Sequence, residues 1–242
     1  MTESVFFEKL RKSFCDNGLC DPDDAEARAF FALLNALLTA NQSVNLTAIT
    51  EPEAVIAKHF ADCLLESETI PIGASVLDLG CGAGFPSLPL AIHRPDLTIL
   101  SLDSTAKKVV FVQKTAEKLQ LPNLKTLVGR AEDPAMKKQI GRIDLVVSRA
   151  VARLNLLCEL SLPLLPIGGA LLALKGAKGE EELAEAQNAI RILGGTVKAC
   201  NRRALTLLDG STEERVIPEI QKIKETPKEY PRSFALMQKK PL

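Results

Sequence analysis

Phe6, Phe7, Leu10 and Phe14 recur at three- and four-residue spacing and predict a helix over residues 3–15 with one apolar face, stopped by Asp16-Asn17-Gly18. Asp21-Pro22-Asp23-Asp24 then offers a cap, a proline for the first helical position and acids for the first turn. The helix it opens carries Phe30, Phe31, Leu34, Leu37 and Leu38 at helical spacing, a core face and not a binding stripe. Asn45-Leu46-Thr47-Ala48-Ile49 is a polar break ahead of a third helix, on which Val55, His59, Asp62 and Cys63 lie near one face. From Ser75 the period changes. Short apolar runs near 76–80, 97–102, 124–128, 143–148 and 169–174 alternate with helical patterns near 86–94, 105–120, 153–162 and 179–193. That alternation predicts an α/β fold with a parallel sheet covered by helices. Gly194-Gly195 ends the last helix, and Val197–Leu208 with Arg215–Lys224 read as a closing hairpin around Asp209-Gly210. The chain divides into an N-terminal helical extension, 1–70, and an α/β domain, 71–242.

Formal net charge is zero over 242 residues and the pI is about 6.8, so any nucleic-acid contact must come from a local patch. The charge is segregated: residues 1–70 hold 5 basic and 12 acidic groups, against 25 and 18 beyond. A positive body is compatible with an anionic partner on one face. The six cysteines include no C-x-x-C pair and only two histidines are present, His59 and His93, so no metal site is expected. Cys63 and Cys158 sit in apolar surroundings, as reduced core thiols do, which points to the cytoplasm. No charged-then-apolar leader opens the chain, and no apolar run approaches the roughly 18 residues that span a bilayer. Nothing in the sequence requires more than a monomer.

The chemistry concentrates at Ser75–Leu90, where an apolar strand breaks into Gly80-Cys81-Gly82-Ala83-Gly84 and then a helix behind Pro86. Alternating glycines let backbone approach a ligand closely. A nicotinamide dinucleotide fingerprint needs glycine or alanine at the sixth place of G-x-G-x-x-G, and Phe85 stands there. What remains is Asp78 two places before a G-x-G-x-G loop. That combination suits S-adenosylmethionine (SAM), which has no phosphate but carries an amino group, a positive sulfur and a flat adenosine. A tight strand-to-helix turn without ligand would also use such glycines.

In an open parallel sheet the ligand sits beyond the carboxyl ends of the strands. The second predicted strand ends at Asp103-Ser104, about 20 residues past the loop, where a carboxylate can take both ribose hydroxyls or cap the next helix. The third ends at Gly129-Arg130-Ala131-Glu132, able to offer a backbone N–H and an acid to an adenine edge, or to form a plain turn. Arg149 and Lys175 follow strands four and five and flank the place where a second substrate would meet the methyl donor, which suits a phosphodiester. Arg130, Arg202, Arg203 and Arg232 extend the candidate patch, although each alone also reads as a solvated charge. Asn45, His59 and Asp62 read as structural hydrogen bonding.

With those residues in view, the chain resembles the bacterial 16S ribosomal RNA guanine-N7 methyltransferases, the glucose-inhibited division protein B family. The likeness runs through NLTAI at 45–49, KHFADCL at 58–64, DLGCGAGFPSLPLAI at 78–92, LDS at 102–104, GRAED at 129–133, SRAVA at 148–152, LALKG at 172–176 and YPR at 230–232. Cys81 stands where the family usually has serine or threonine, and Ser87 where it has glycine. The resemblance implies a Rossmann-like class I SAM-dependent methyltransferase with a mostly parallel seven-stranded sheet. It carries cofactor-binding roles onto Gly80, Phe85, Asp103, Ser104, Ala131, Glu132 and Arg149, beside Asp78, Gly82 and Gly84 of the loop. The implied partner is 16S ribosomal RNA or the small ribosomal subunit, with a guanine of the decoding-region loop as acceptor.

Guanine N7 has a free lone pair and no proton to lose, so its methylation needs orientation and no general base; no catalytic residue is expected. A small-molecule methyltransferase on the same fold would show a carboxylate or histidine base beside the fourth strand, where the sequence has arginine. A non-enzymatic RNA-binding assembly factor would not need the intact glycine loop with Asp103.

Overall fold

A computed structural model describes residues 1–242. Strands β1 (Ser75–Leu79), β2 (Thr98–Asp103), β3 (Leu124–Val128), β4 (Leu145–Arg149), β5 (Ala170–Gly176), β6 (Gly195–Thr206) and β7 (Thr212–Lys222) form one sheet in the order β3-β2-β1-β4-β5-β7-β6. Only β7 runs against the direction of the other six strands. The seven-stranded, mostly parallel sheet implied by the resemblance is therefore present. Strand order reverses at β1, which pairs with β2 on one side and β4 on the other; such a reversal opens a crevice at the strand ends.

The apolar pattern explains the layers. Alternate residues of a strand face opposite sides, so Val76, Val147 and Leu172 join one apolar cluster while Leu77, Val146 and Leu171 join the other. Helices α1 (Glu3–Asp16) and α2 (Asp24–Val44) cover the first face, with α5 (Ser87–His93) and α6 (Ala106–Lys118). Between them in the chain lie α3 (Pro52–Val55), a π-helical stretch Ile56–Ala61, and α4 (Asp62–Leu64). The other face is covered by α7 (Pro134–Ile140), α8 (Leu154–Ser161), α9 (Gly179–Glu185), α10 (Gln187–Ile192) and α11 (Phe234–Lys239).

Several boundaries differ from the sequence expectation for identifiable reasons. Asp23, not the first acid of its cluster, caps α2 by accepting from the Ala25 and Glu26 amides at 2.8 Å each, so Pro22 precedes the cap instead of opening the helix. Pro86 likewise sits just ahead of α5. The third helix is interrupted by its π stretch, and the single helix expected over 179–193 breaks at Ala186, whose ψ of −4° departs from α geometry. The hairpin strands lie two to three residues earlier than expected. Helices α7 and α11 were not expected; α7 carries the signature of a capping Asp133, accepting from the Ala135 amide at 2.9 Å, and a proline at its first position.

The N-terminal helices share the sheet's core. An aromatic chain runs from Phe14 to Phe30 (centroids 5.5 Å), Phe60 (5.0 Å) and Phe85 (6.3 Å) at the glycine loop. Asn17 ties the end of α1 to β6, donating to the Thr206 carbonyl at 3.0 Å and accepting from its amide at 2.8 Å. No helix is long and apolar enough to cross a membrane. Phe60 is fully buried in the middle of the aromatic chain, so Phe60→Ala should cost about 3–5 kcal/mol in urea unfolding; a loss below 1 kcal/mol would show that the chain is not a packed unit.

Candidate active site

The loop after β1 is fixed by backbone geometry. Gly80, Gly82 and Gly84 adopt φ of +75°, +55° and +85°, a region costly for residues with a Cβ. The Gly80 and Cys81 amides both donate to the Leu102 carbonyl of β2, at 2.8 and 3.0 Å. The three glycines serve different ends. A Cβ on Gly80 would meet Val151 Cγ2 at 2.3 Å, and one on Gly84 would meet Leu88 Cδ1 at 2.5 Å, so these two admit protein side chains. Gly82 alone faces open space, with nothing nearer than the Gly80 carbonyl at 4.0 Å. Gly84 does not reach the cleft wall, which corrects its reading as a residue that admits ligand.

Asp103 ties the glycine loop to the entrance of α6. Its Oδ1 accepts from the Thr105 amide at 2.8 Å at the entrance to α6, and its Oδ2 accepts from the Gly82 amide at 3.0 Å. A carboxylate oxygen has a second acceptor site, and Asp103 lines the cleft. Asp78 needs a correction. It is completely buried beneath the loop and off the cleft wall, with Oδ2 accepting from the Ser87 amide at 3.0 Å and Oδ1 without a partner. Burial pushes its carboxyl up to about 7, against the lowering effect of the Ser87 hydrogen bonds and the Arg149 charge. Cys81 is also buried, and burial raises its thiol far above the ordinary range, leaving it unreactive at neutral pH.

The cleft beside this loop measures about 500 Å³. It takes Gly80, Gly82 and Phe85 from the β1 side, Asp103 and Ser104 after β2, Arg130, Ala131 and Glu132 after β3, and Arg149 from β4. Arg149 is the best-held of these. Its Nη1 donates to the Lys58 carbonyl at 2.8 Å and lies 3.2 Å from Asp62 Oδ2, and its Nη2 donates to His59 Nδ1 at 2.9 Å. An arginine has no acceptor, so His59 Nδ1 must be bare and Nε2 carries the proton, which it donates to Thr47 Oγ1 at 2.9 Å. Burial, helped by the Arg149 charge, lowers His59 to about 4 and keeps the ring neutral. The same ring stacks on Phe85 at 4.5 Å with planes 16° apart. Thr47 Oγ1 also accepts from the Ile49 amide at 3.0 Å, which leaves its own O–H for the cleft.

A second cleft of about 630 Å³ lies beyond Arg149, over the ends of β4 and β5 and the start of β7. Its charged groups are Lys58, Arg149, Arg153, Lys175 and Arg215 against Asp62, Glu182 and Glu213, an excess of positive charge. Asp62 is shared, accepting from Arg215 Nε at 2.6 Å as well as facing Arg149. The structure revises the expected patch. Lys175 is buried and committed to the Ala152 carbonyl (2.5 Å) and Glu182 (2.8 Å), so its ammonium is not free for a phosphate. Arg202 pairs with Glu180, Arg203 with the buried Glu66 at 2.7 Å, and Arg232 with the buried Glu159 at 2.6 Å; none of the three lines either cleft. Arg130 does line the first cleft, beside Glu132 at 3.3 Å. Asn45 is exposed and ends α2 in a left-handed conformation. Sequence reasoning missed Thr47, Lys58, Lys108, Arg153 and Arg215; it also placed no histidine or acid beside β4, where His59 and Asp62 in fact stand.

Solved structures share this architecture. The precorrin-6y C5,15-methyltransferase of Geobacter metallireducens superposes with a TM-score of 0.50 at 15% identity, over 75% of this chain and 92% of that one. A SAM-dependent methyltransferase from Methanosarcina mazei gives 0.51 at 14%, over 65% and 96%. The fold is that of the class I methyltransferases. The GidB family model, described as rRNA small subunit methyltransferase G, matches residues 26–206. The ribosomal RNA small subunit methyltransferase G of Lactobacillus acidophilus is 42% identical over 224 residues, 90% of this chain and 92% of that protein. Its counterpart in Clostridium perfringens strain 13 is 37% identical over 98% and 99%. The chain belongs to the GidB family and is an enzyme of the SAM-dependent methyltransferase class, with SAM as its cofactor.

Two predictions follow from the buried charges. Between the ordinary carboxylate value near 4 and about 7, native Asp78 holds a proton that the unfolded chain has released. Its contribution to stability is full at the acid end of this window and is lost as pH rises to neutrality. Asp78→Asn should therefore gain on the wild type with a slope of up to about 1.4 kcal/mol per pH unit between pH 5 and 7 in urea titrations; parallel curves would place an ionised carboxylate there. Arg203→Ala, which strips the buried Glu66 of its cation, should cost about 1.5–3 kcal/mol, whereas Arg202→Ala should leave the urea midpoint in place.

Proposed function

We propose that the first cleft holds SAM and that the second receives a guanine of the 16S ribosomal RNA decoding-region loop, whose N7 takes the methyl group in the bacterial cytoplasm. The observation that carries this reading is the pairing of two clefts across Arg149: one with an open glycine and an acid for a nucleoside, the other a separate space of about 630 Å³ for the acceptor base. The residues fit the cofactor. Gly82 leaves room for close approach, Asp103 keeps acceptor capacity for ribose, Thr47 keeps a donor, and about 500 Å³ suits a ligand of this size. SAM bound there supplies an electrophilic methyl carbon.

The protein's own groups orient and do not move protons. Both nitrogens of His59 are engaged, and Asp62 is clasped by two guanidinium groups, so neither is free to act as a base although both stand beside β4. A base-free reaction at guanine N7 is consistent with that arrangement, since orienting bound reactants alone supplies roughly 7–11 kcal/mol. The small-molecule alternative needs such a base to be free. The committed Arg149 holds the wall between the clefts and leaves phosphate contacts to other cations. Lys107, exposed, and Lys108, on the first cleft, open α6 and are the better candidates.

In calorimetry Asp103→Ala should lose about 1.5–3 kcal/mol of SAM affinity, and Gly82→Val should abolish binding in a folded protein. Changing Lys107 and Lys108 to alanine should lower the log–log salt slope of RNA affinity by roughly 0.7–0.9 per contact, while the Arg202/Arg203 pair should leave it unchanged. With labelled SAM and small subunits, reduction and cleavage should map label to 7-methylguanosine at one site. Label at another atom or base, or a rate limb between pH 6 and 9 that disappears with His59→Asn, would overturn the reading.

A further inference from the structure

The sequence placed Arg232 among RNA contacts, but the structure uses it internally. Its backbone amide and Nε both donate to Glu159 Oε1, at 2.9 and 2.8 Å, and its Nη2 donates to Oε2 at 2.6 Å. Glu159, on α8, has a side chain only 1% exposed. A buried carboxylate held by a planar fork is a strong and directional clasp, and it cannot shed its cation without a large penalty. The Tyr230 ring backs the guanidinium at 5.7 Å. Five residues on, Met237 of α11 is fully buried in the same apolar cluster as Leu157 and Ala131. Between the polar clasp and this apolar anchor stands Phe234, half-buried, which lines the first cleft together with Leu160 of α8.

We infer that the segment Tyr230–Lys239 is a wall of the cofactor cleft, with Phe234 its contact face and Arg232 a positioning residue that latches the wall to α8 through Glu159. The inference rests on the assignment of the first cleft to SAM. Phe234 offers an aromatic surface to a flat heteroaromatic ligand. Arg232 touches no ligand and acts through the docking of the segment. Lysine keeps the charge but cannot reproduce the fork, so charge and geometry separate by substitution. A wall that contacts the ligand equally in ground and transition states alters KM and not kcat. Ligand binding and docking are reciprocal, so occupancy of the cleft must also stabilise the segment.

The test uses the full chain and S-adenosylhomocysteine as probe, with calorimetry, hydrogen exchange and steady-state kinetics. Phe234→Ala should weaken binding about five-fold, the scale of an aromatic contact. Arg232→Gln should weaken it about ten-fold by lowering the docked population, with Arg232→Lys in between, and KM for SAM should rise while kcat holds. In the wild type the probe should slow amide exchange across 230–239. Phe234 is only half-buried, so its variant keeps the test open should Arg232→Gln fail to fold. Undiminished probe binding by Phe234→Ala, or exchange across 230–239 that ignores the probe, would overturn the wall. A wild-type protein that binds no probe would overturn the cofactor assignment and this inference with it.

Discussion

The structure depends on how Arg149 is satisfied. A guanidinium at the end of a central strand, with a side chain only 16% exposed, must replace its lost hydration with acceptors. All of them come from one short stretch of the N-terminal helices: the Lys58 carbonyl, His59 Nδ1 and Asp62 Oδ2. The π geometry of Ile56–Ala61 lies over this stretch, and such departures from α geometry recur at functional sites. Because both nitrogens of His59 are used, its orientation is set, and the stacked Phe85 is set with it. One largely enclosed cation thus fixes the end of β4, the far side of the glycine loop and the partition between the two clefts.

The loop itself is an arrangement of neighbours as much as of ligand space. Gly80 makes room for Val151 and Gly84 for Leu88, while Asp78 anchors the start of α5 from below. Only Gly82 opens outward. The left-handed backbone is held from outside by the Leu102 carbonyl and the Asp103 carboxylate. A wall built this way exists before any ligand arrives, which is what pre-organised binding requires.

Local patterns in the sequence were legible where local physics decides. The span of β3 coincides with the expected 124–128, and the glycine loop, Asp103 and the GRAED turn line the cleft as strand-end reasoning placed them. Pairings across the chain were not legible. Asp62 meets Arg215 across 153 residues and Lys58 meets Glu213 across 155, and no spacing rule reaches that far. The internal partners of Arg203 and Arg232 were equally hidden, since an arginine facing solvent and one clasping a buried glutamate look identical until the partner is folded against it. The signal for α7 was present in Asp133-Pro134 but overlaps the GRAED motif and its site reading.

Charge segregation takes on a different meaning in this light. The acidic surplus of residues 1–70 and the basic surplus beyond suggested a positive body awaiting an anionic partner. Much of that complementarity is consumed within the chain: Asp62 faces Arg149 and Arg215, and Glu66 takes Arg203 and, at 3.0 Å, Asn201. These acids are buried, so the pairs fix how the N-terminal helices seat on the sheet, and breaking the Arg203 pair leaves Glu66 an uncompensated charge. A count of net charge by segment therefore overstates the field available to RNA. What remains for a phosphodiester is set by cations without an internal carboxylate, and of these Lys108 lines the first cleft with Lys107 beside it at the start of α6, away from the β6 edge that carries the paired arginines.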